Sequence, residues 1–448
     1  MTTRESTSGP DARPPAAVAG PTPADALGGT APESAGATPA IGHGFLRRIA
    51  AALVYRDFRL LWLGACTSSI GTWMQRVAQA WLVLELTDSA WYLALDAFVG
   101  EAPLLLFTLI GGVVADRMDR RILLMASQVV QMTCAFALAA LVWADAVTIW
   151  LILALSFTSG SGQAFGGPAY QSLIPSLVSK DHLPNAIALN SIQFNLARFI
   201  GPLLAGVVLH ASGMVACFTL NGLSFLVVIG ALLSLAVRHV PPSAPRRHML
   251  VELRGGLSYV RDHRALLALT AVAFAITFLG VPLLTFLPVI AREVFSQDVG
   301  GFSGMMAYSG IGAVSGALVV AWLGRFRHMG LTALLVQFVF AGLVVAFAAT
   351  RVLWIGQLLL VLIGATLIVS MSLVTSLVQL IAPNELRGRV MSIYMVAFRG
   401  GMPLGSLASG LIADLASAPV ALAVDGALLA LVAVYFLFPG RGGGVREL

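Results

Sequence analysis

From residue 58 to 438 the chain is a succession of long apolar runs, each ended by a few charged or turn-forming residues. A run of 18 or more mostly apolar residues is long enough to cross a bilayer as a helix. The pattern predicts twelve spans: 58–86, 90–115, 121–143, 147–169, 186–210, 214–237, 265–291, 302–324, 330–350, 352–381, 390–413 and 419–438. The first 45 residues have no such periodicity. They are rich in Pro, Ala, Gly, Thr and Ser, cannot bury enough apolar surface to fold, and read as a disordered tail. No apolar core follows a cationic start, so the tail is not a signal peptide.

Composition sharpens this picture. The chain is 58% hydrophobic and only 11% charged, whereas a soluble domain is about 25% charged. The expected class is therefore an all-α integral membrane protein. The formal net charge of +6 does not indicate nucleic acid, because the basic residues are scattered between spans. Cys66, Cys134 and Cys217 fall far apart inside predicted spans, so neither a disulfide framework nor a thiolate metal site follows. The seven histidines lack ligand spacing, and no metal or cofactor is expected.

The basic residues also test the topology. With both termini cytoplasmic, 22 of the 27 Lys and Arg residues lie in cytoplasmic tails, loops or span ends. Arg76, Arg198 and Arg399 lie inside spans, and only Arg292 and Arg351 face outward. That distribution obeys the positive-inside rule. An internal repeat accompanies it. "NSIQFNLARFIGPLLAGVV" (190–208) resembles "MSIYMVAFRGGMPLGSLAS" (391–409), pairing Ser191 with Ser392, Arg198 with Arg399 and Pro202 with Pro403 at an offset of 201. Further on, Asn221-Gly222 falls opposite Asp425-Gly426 at an offset of 204. The reading is a cytoplasmic tail (1–45), a six-helix lobe (46–237), a basic cytoplasmic linker (238–264), a second six-helix lobe (265–440) and a short tail (441–448). Duplicated lobes place a substrate site near mid-membrane between them.

Between spans 2 and 3, "GGVVADRMDRR" (111–121) concentrates Asp116, Arg117, Asp119, Arg120 and Arg121. A plain reading is an anchor in the aqueous, anionic-lipid layer. The stretch also resembles the loop 2–3 signature of the major facilitator superfamily, with Gly112, Asp116, Arg117, Arg120 and Arg121 in the signature positions and Asp119 where that family usually has Gly. The resemblance implies a cytoplasmic gate that clamps against the opposite lobe, here against "PNELRGRV" with Glu385, Arg387 and Arg389. Together with "FRLLWLGACTSSIGTWMQRVAQAWLVLELTDSA" and "ELRGRVMS", it is similar to the branch that contains enterobactin-type siderophore exporters and transmembrane secretion effectors.

Ionisable residues inside a bilayer are costly and mark functional sites. Counting from the turn at Asp88, Arg76 lies 12 residues before and Glu101 13 residues after, so the two sit at one depth. Asp96 is level with Gln79, and on a helix it does not share a face with Glu101. Glu101 is the first proton-coupling candidate, then Asp96, with Arg76 beside them; the alternative is a salt bridge that only holds the hairpin. Cavity candidates are Gln75, Gln79, Arg198, Arg399, Gln163 and Tyr170, although each arginine could instead anchor its own lobe. Gly201, Pro202 and Gly206 resemble the span 5 signature of the superfamily's antiporters and, with Pro403, permit close packing and bending.

No GxxxxGK[ST] motif appears, and no nucleophile–base set suggests an enzyme. The expected function is secondary active export of a small organic molecule, a siderophore, other secondary metabolite or drug, by proton antiport and alternating access. The alternatives are a proton-coupled uptake permease or a lipid-handling carrier. The expected energy source is the proton gradient. Expected partners are the small-molecule substrate, protons and membrane lipids, with no nucleic acid, on a monomeric carrier. Arginine-rich composition with a single lysine suits a GC-rich bacterium, and the expected location is its cytoplasmic (inner) membrane.

Overall fold

The computed structural model describes residues 51–236, 249–383, 385–438 and 442–448, without the side chains of 108–117, 249–254 and 441–443. The predicted tail 1–45 and most of the charged part of the linker lie outside the described residues. So do the side chains of Gly112, Asp116 and Arg117.

Almost every described residue is helical. Helices α1 (Arg56–Thr87), α2 (Ala90–Arg117), α3 (Arg120–Trp143) and α4 (Ile149–Leu177) follow the first four predicted spans. Helix α5 (Leu183–Leu233) runs for 51 residues but holds two segments, because Gly213 at φ 75° and ψ −174° turns the chain between them. Only glycine adopts that backbone freely. After the short α6 (Met249–Asp262), the seventh predicted span is divided. Helix α7 (Arg264–Gly280) stops at Val281, α8 (Pro282–Val289) begins on Pro282, and a π turn covers Ile290–Val294. Helices α9 (Val299–Leu323), α10 (Met329–Ala349), α11 (Leu353–Ile381), α12 (Arg387–Leu415) and α13 (Ala418–Leu437) complete the order. Among the described residues, eight helical segments are long and apolar enough to cross a membrane.

Their surfaces fit a lipid solvent. Trp143, Trp150, Trp322 and Trp354, all at helix ends, are 66–84% exposed, as expected of indoles at a membrane–water boundary. Leu, Val and Ile residues are exposed along the helices between those ends.

Packing sorts the helices into two groups. In the first, α1 lies on α5, α2 on α4, and α3 on both α4 and α5. In the second, α9 lies on α11, α10 on α11 and α13, and α7 on α12. The groups meet through α5 against α9 and α2 against α12.

Close approaches set the register of the repeat. A Cβ on Gly201 would meet Ile70, Trp73 and Met74 of α1, and one on Gly401 would meet the equivalent Phe274, Thr277 and Phe278 of α7, an offset of 200 between the glycines and 204 between their partners. Gly206 abuts Ser303 of α9, as Gly410 abuts Ala94 of α2. Gly222 abuts Phe136 of α3, as Gly426 abuts Val345 of α10. The offset of 201 read from residues 190–208 therefore lies one residue from the packing register there, about 100° around a helix, and the offset of 204 read at Asn221-Gly222 holds at Gly222 and Gly426. At an offset of 200 Arg198 corresponds to Phe398, beside Arg399.

Two segments read as linker and tail are ordered against the bundle. Helix α6 packs on α12, where a Cβ at Gly256 would meet the backbone of Arg389. The last residues form a 3₁₀ turn, Gly442–Glu447, with Val445 buried against Gly330.

Candidate functional site

Trp73 and Arg76 lie three residues apart and so on one face of α1. Helix α1 touches both α2 and α5, the two helices through which the first group meets the second. The side chains that meet Trp73 and Arg76 come from α2 and α5. Arg76 Nη2 donates to Glu101 Oε1 of α2 at 3.1 Å, with the arginine side chain 55% exposed. The guanidinium of Arg76 also lies 5.1 Å from the centroid of the Trp73 ring. Arg198, arriving from α5, lies 5.7 Å from the same ring. Phe194, one helical turn before Arg198, meets Trp73 edge-on at 6.3 Å.

Two guanidinium groups thus flank one indole, in a geometry where cation–π attraction is worth ~0.5–2 kcal/mol. Glu101 balances Arg76. Among the described residues, no carboxylate balances Arg198.

A second polar cluster lies closer to the Asp88 turn, on the other side of α2. Asp96 accepts from Gln79 Nε2 at 2.9 and 3.1 Å and from Ser156 Oγ of α4 at 2.5 Å. Gln79 also reaches Ser156, closing a triangle between α1, α2 and α4.

The remaining sequence candidates disperse. Gln75 accepts from Asn221 at 2.6 Å inside the first group. Tyr170 donates to Asn190, tying α4 to α5. Gln163 is exposed. Arg399 is exposed on α12 without a hydrogen bond or ion pair among the described residues. Pro202 and Pro403 are buried inside α5 and α12, and Gly201 and Gly206 are close-approach points.

The loop 2–3 residues bond within their own group. Asp119 caps α3 by accepting from the Arg121 amide, which gives the residue in the usual glycine position a structural task. Arg120 donates to Ser172 O at the end of α4, and Arg121 to Leu233 O and Leu235 O after α5. Cations at helix C-termini also suit the helix dipole. Glu385 and Arg387 are exposed before α12, and the backbone of Arg389 lies against Gly256. The bonds of Arg120 and Arg121 thus stay within the first group.

The groups are joined instead at the end of the bundle that holds the Asp88 turn, by residues that sequence reasoning did not select. Arg292, on the π turn after α8, donates to the Asp88 carboxylate and, at 3.4 Å, to Leu84 O. Ser89 donates to Asp414 at 3.0 Å. Beneath them Trp81 stacks on Phe302 at 6.0 Å, and Ala94 lies against Gly410. One signal was available: Arg292 is one of only two arginines that the topology places on the outer side.

The chain is similar to membrane transporters. It is 26% identical to the staphyloferrin A transporter of Staphylococcus aureus over 83% of this chain and 93% of that one. It is 28% identical to the multidrug efflux pump Tap of Mycolicibacterium fortuitum, over 84% and 94%. With the enterobactin exporter EntS of Salmonella typhi it is 24% identical, over 84% and 92%. Its fold matches a bacterial homolog of the human lysosomal transporter Spinster in an inward-facing, unoccupied conformation, with a TM-score of 0.70, 14% identity and coverage of 92% and 98%. The nucleoside transporter NupG aligns with a TM-score of 0.66, 13% identity and coverage of 85% and 98%. The transmembrane secretion effector family matches residues 49–439. The chain belongs to that family, and it is a multi-pass membrane transporter of the major facilitator type rather than an enzyme.

Proposed function

We propose that the protein is a secondary active exporter of a small organic molecule, a siderophore or other secondary metabolite or a drug. It works by alternating access and exchanges cargo for protons. The observation that carries the reading is the Trp73–Arg76–Glu101–Arg198 cluster, built by α1, α2 and α5 where α2 and α5 carry the first group onto the second. The names of the relatives, which include siderophore and drug exporters, support the outward direction. In this reading twelve spans cross a bacterial inner membrane with both termini in the cytoplasm, so the Asp88 end is extracellular and closed. Arg120 and Arg121, bonded within their own group, fit a cytoplasmic gate that is open.

Glu101 is the proposed proton carrier, and protonation would release Arg76. Asp96, held by Gln79 and Ser156, is the second carboxylate of the pathway. Proton-coupled uptake has one observation in its favour. A protonated Glu101 would let Arg76 join Arg198 on an anion, so that proton and anion would travel together.

The test is flux in proteoliposomes under an imposed pH gradient, with siderophores and cationic dyes as cargoes. The expected result is cargo movement against proton flow in the wild type and loss of gradient dependence in Glu101→Gln. Movement of cargo with the proton would establish uptake. Unchanged coupling in Glu101→Gln would make the Arg76–Glu101 pair a structural brace.

A further inference from the structure

We infer that the wall formed by Trp73, Arg76 and Arg198 is a binding site for an organic anion, with Arg198 as its primary contact. The inference rests on the transport reading and deepens it by naming the cargo's charge.

Three features of the site converge on this class. First, Arg198 and Arg76 come from different helices onto one ring, so two like charges are held close together. Like charges brought together in a half-buried place repel, and such an arrangement persists where a negative group visits. Second, one carboxylate serves two guanidinium groups. Glu101 bonds Arg76, whereas Arg198 faces only the indole among the described residues. Asp96 does not supply the missing charge, because it lies on the α4 side of α2 in its own triangle with Gln79 and Ser156. Third, Gly201 and Gly310 pack α5 tightly against α1 and α9. A Cβ on Gly201 would strike α1, and one on Gly310 would come within 3.0 Å of the Phe199 backbone beside Arg198. The base of Arg198 is therefore fixed while its head group reaches the Trp73 ring. A planar guanidinium in such a place binds a carboxylate through two parallel bonds. The aromatic pair Trp73–Phe194 beside it supplies an apolar surface for the cargo's carbon skeleton. The fit is an organic acid, a carboxylate attached to an apolar or aromatic body.

Binding to the full-length protein in nanodiscs tests this directly. Benzoate and citrate serve as anion probes, and tetraphenylphosphonium as the cation. The wild type should bind the anions in preference to the cation, and more weakly as salt rises. Arg198→Gln should weaken anion binding by about tenfold or more, a charge-assisted bidentate contact being lost. Arg198→Lys, which keeps the charge and loses the planar fork, should fall between them, and thermal unfolding of each variant checks the fold. Unchanged anion affinity in a folded Arg198→Gln protein would overturn the assignment. So would a wild type that prefers the cation or binds neither anion. The two readings fail separately: export of cations alone sinks the anion site and leaves the exporter standing. Anions that bind through Arg198 yet never cross the proteoliposome membrane would sink the exporter and leave the site.

Discussion

At the scale of single residues, the glycines do as much as the charges. Gly312 and Gly316 of α9 lie directly against the carbonyls of Val361 and Ala365 on α11, and Gly364 returns the contact against Ser309. Lipid offers no hydrophobic drive to press helices together, so close backbone approach has to supply the attraction. Gly312→Ala should therefore push α9 from α11 and destabilise the protein by about 1–3 kcal/mol, the usual range for overpacking. A fall in the thermal unfolding midpoint in detergent would register it. Gly342 has no atom near its absent Cβ, so Gly342→Ala should leave that midpoint unchanged or raise it. An equal loss in both variants would show that the close approach at Gly312 does not set the effect.

At the scale of elements, the closure at the Asp88 end depends on a short irregular stretch. The π turn Ile290–Val294 carries Arg292 to the C-terminal carbonyls of α1 and to Asp88, which caps α1 in the left-handed region at φ 49°. Asp88 is 81% exposed, so the ion pair is worth only ~0.2–1 kcal/mol, and Arg292→Ala should shift the closed-to-open ratio by about 1.4- to 5-fold. Distances between spin labels at Asp145 and Thr350, in a background free of Cys66, Cys134 and Cys217, would report that shift. No change would mean that the Trp81–Phe302 stack and the Ala94–Gly410 contact hold the end closed alone. Elements were the most legible part of the sequence, since an apolar run is readable without knowing its neighbours. The positions of the first four helices, the break near residue 213 and the level of Arg76 with Glu101 all follow from run length and rise per residue. Register between the two halves was legible only to within one residue in residues 190–208. Identities at an offset of 201 came close, but packing fixes the last residue by where small residues must lie, Gly201 against α1 and Gly401 against α7. The closure at the Asp88 end was illegible for a related reason. Its partners are separated by more than 200 positions and none of them carries a motif.

At the scale of the whole molecule, a working cycle needs the closed end to open and the other end to close, and the described contacts indicate where each change is resisted. Arg120 and Arg121 must leave the C-terminal carbonyls of α4 and α5 if the loop 2–3 cations are to reach the second group. Arg121→Gln removes a cation that has to reach the second group along with its own tether, so it should impair transport while leaving benzoate affinity unchanged, and paired flux and binding measurements would separate the two. Arg198's missing counter-charge also has an electrical meaning. With Glu101 ionised and a singly charged anion bound, the cluster is neutral, and its passage across the membrane does no work against the voltage. With Glu101 protonated and the site empty, it carries two positive charges, and an inside-negative potential pulls that form back towards the cytoplasm. Each turnover would then move two charges, worth ~4.6 kcal/mol at 100 mV. The voltage would act on the return of the empty carrier, so collapsing the membrane potential at constant pH gradient should slow the reset and leave the first loaded transit untouched.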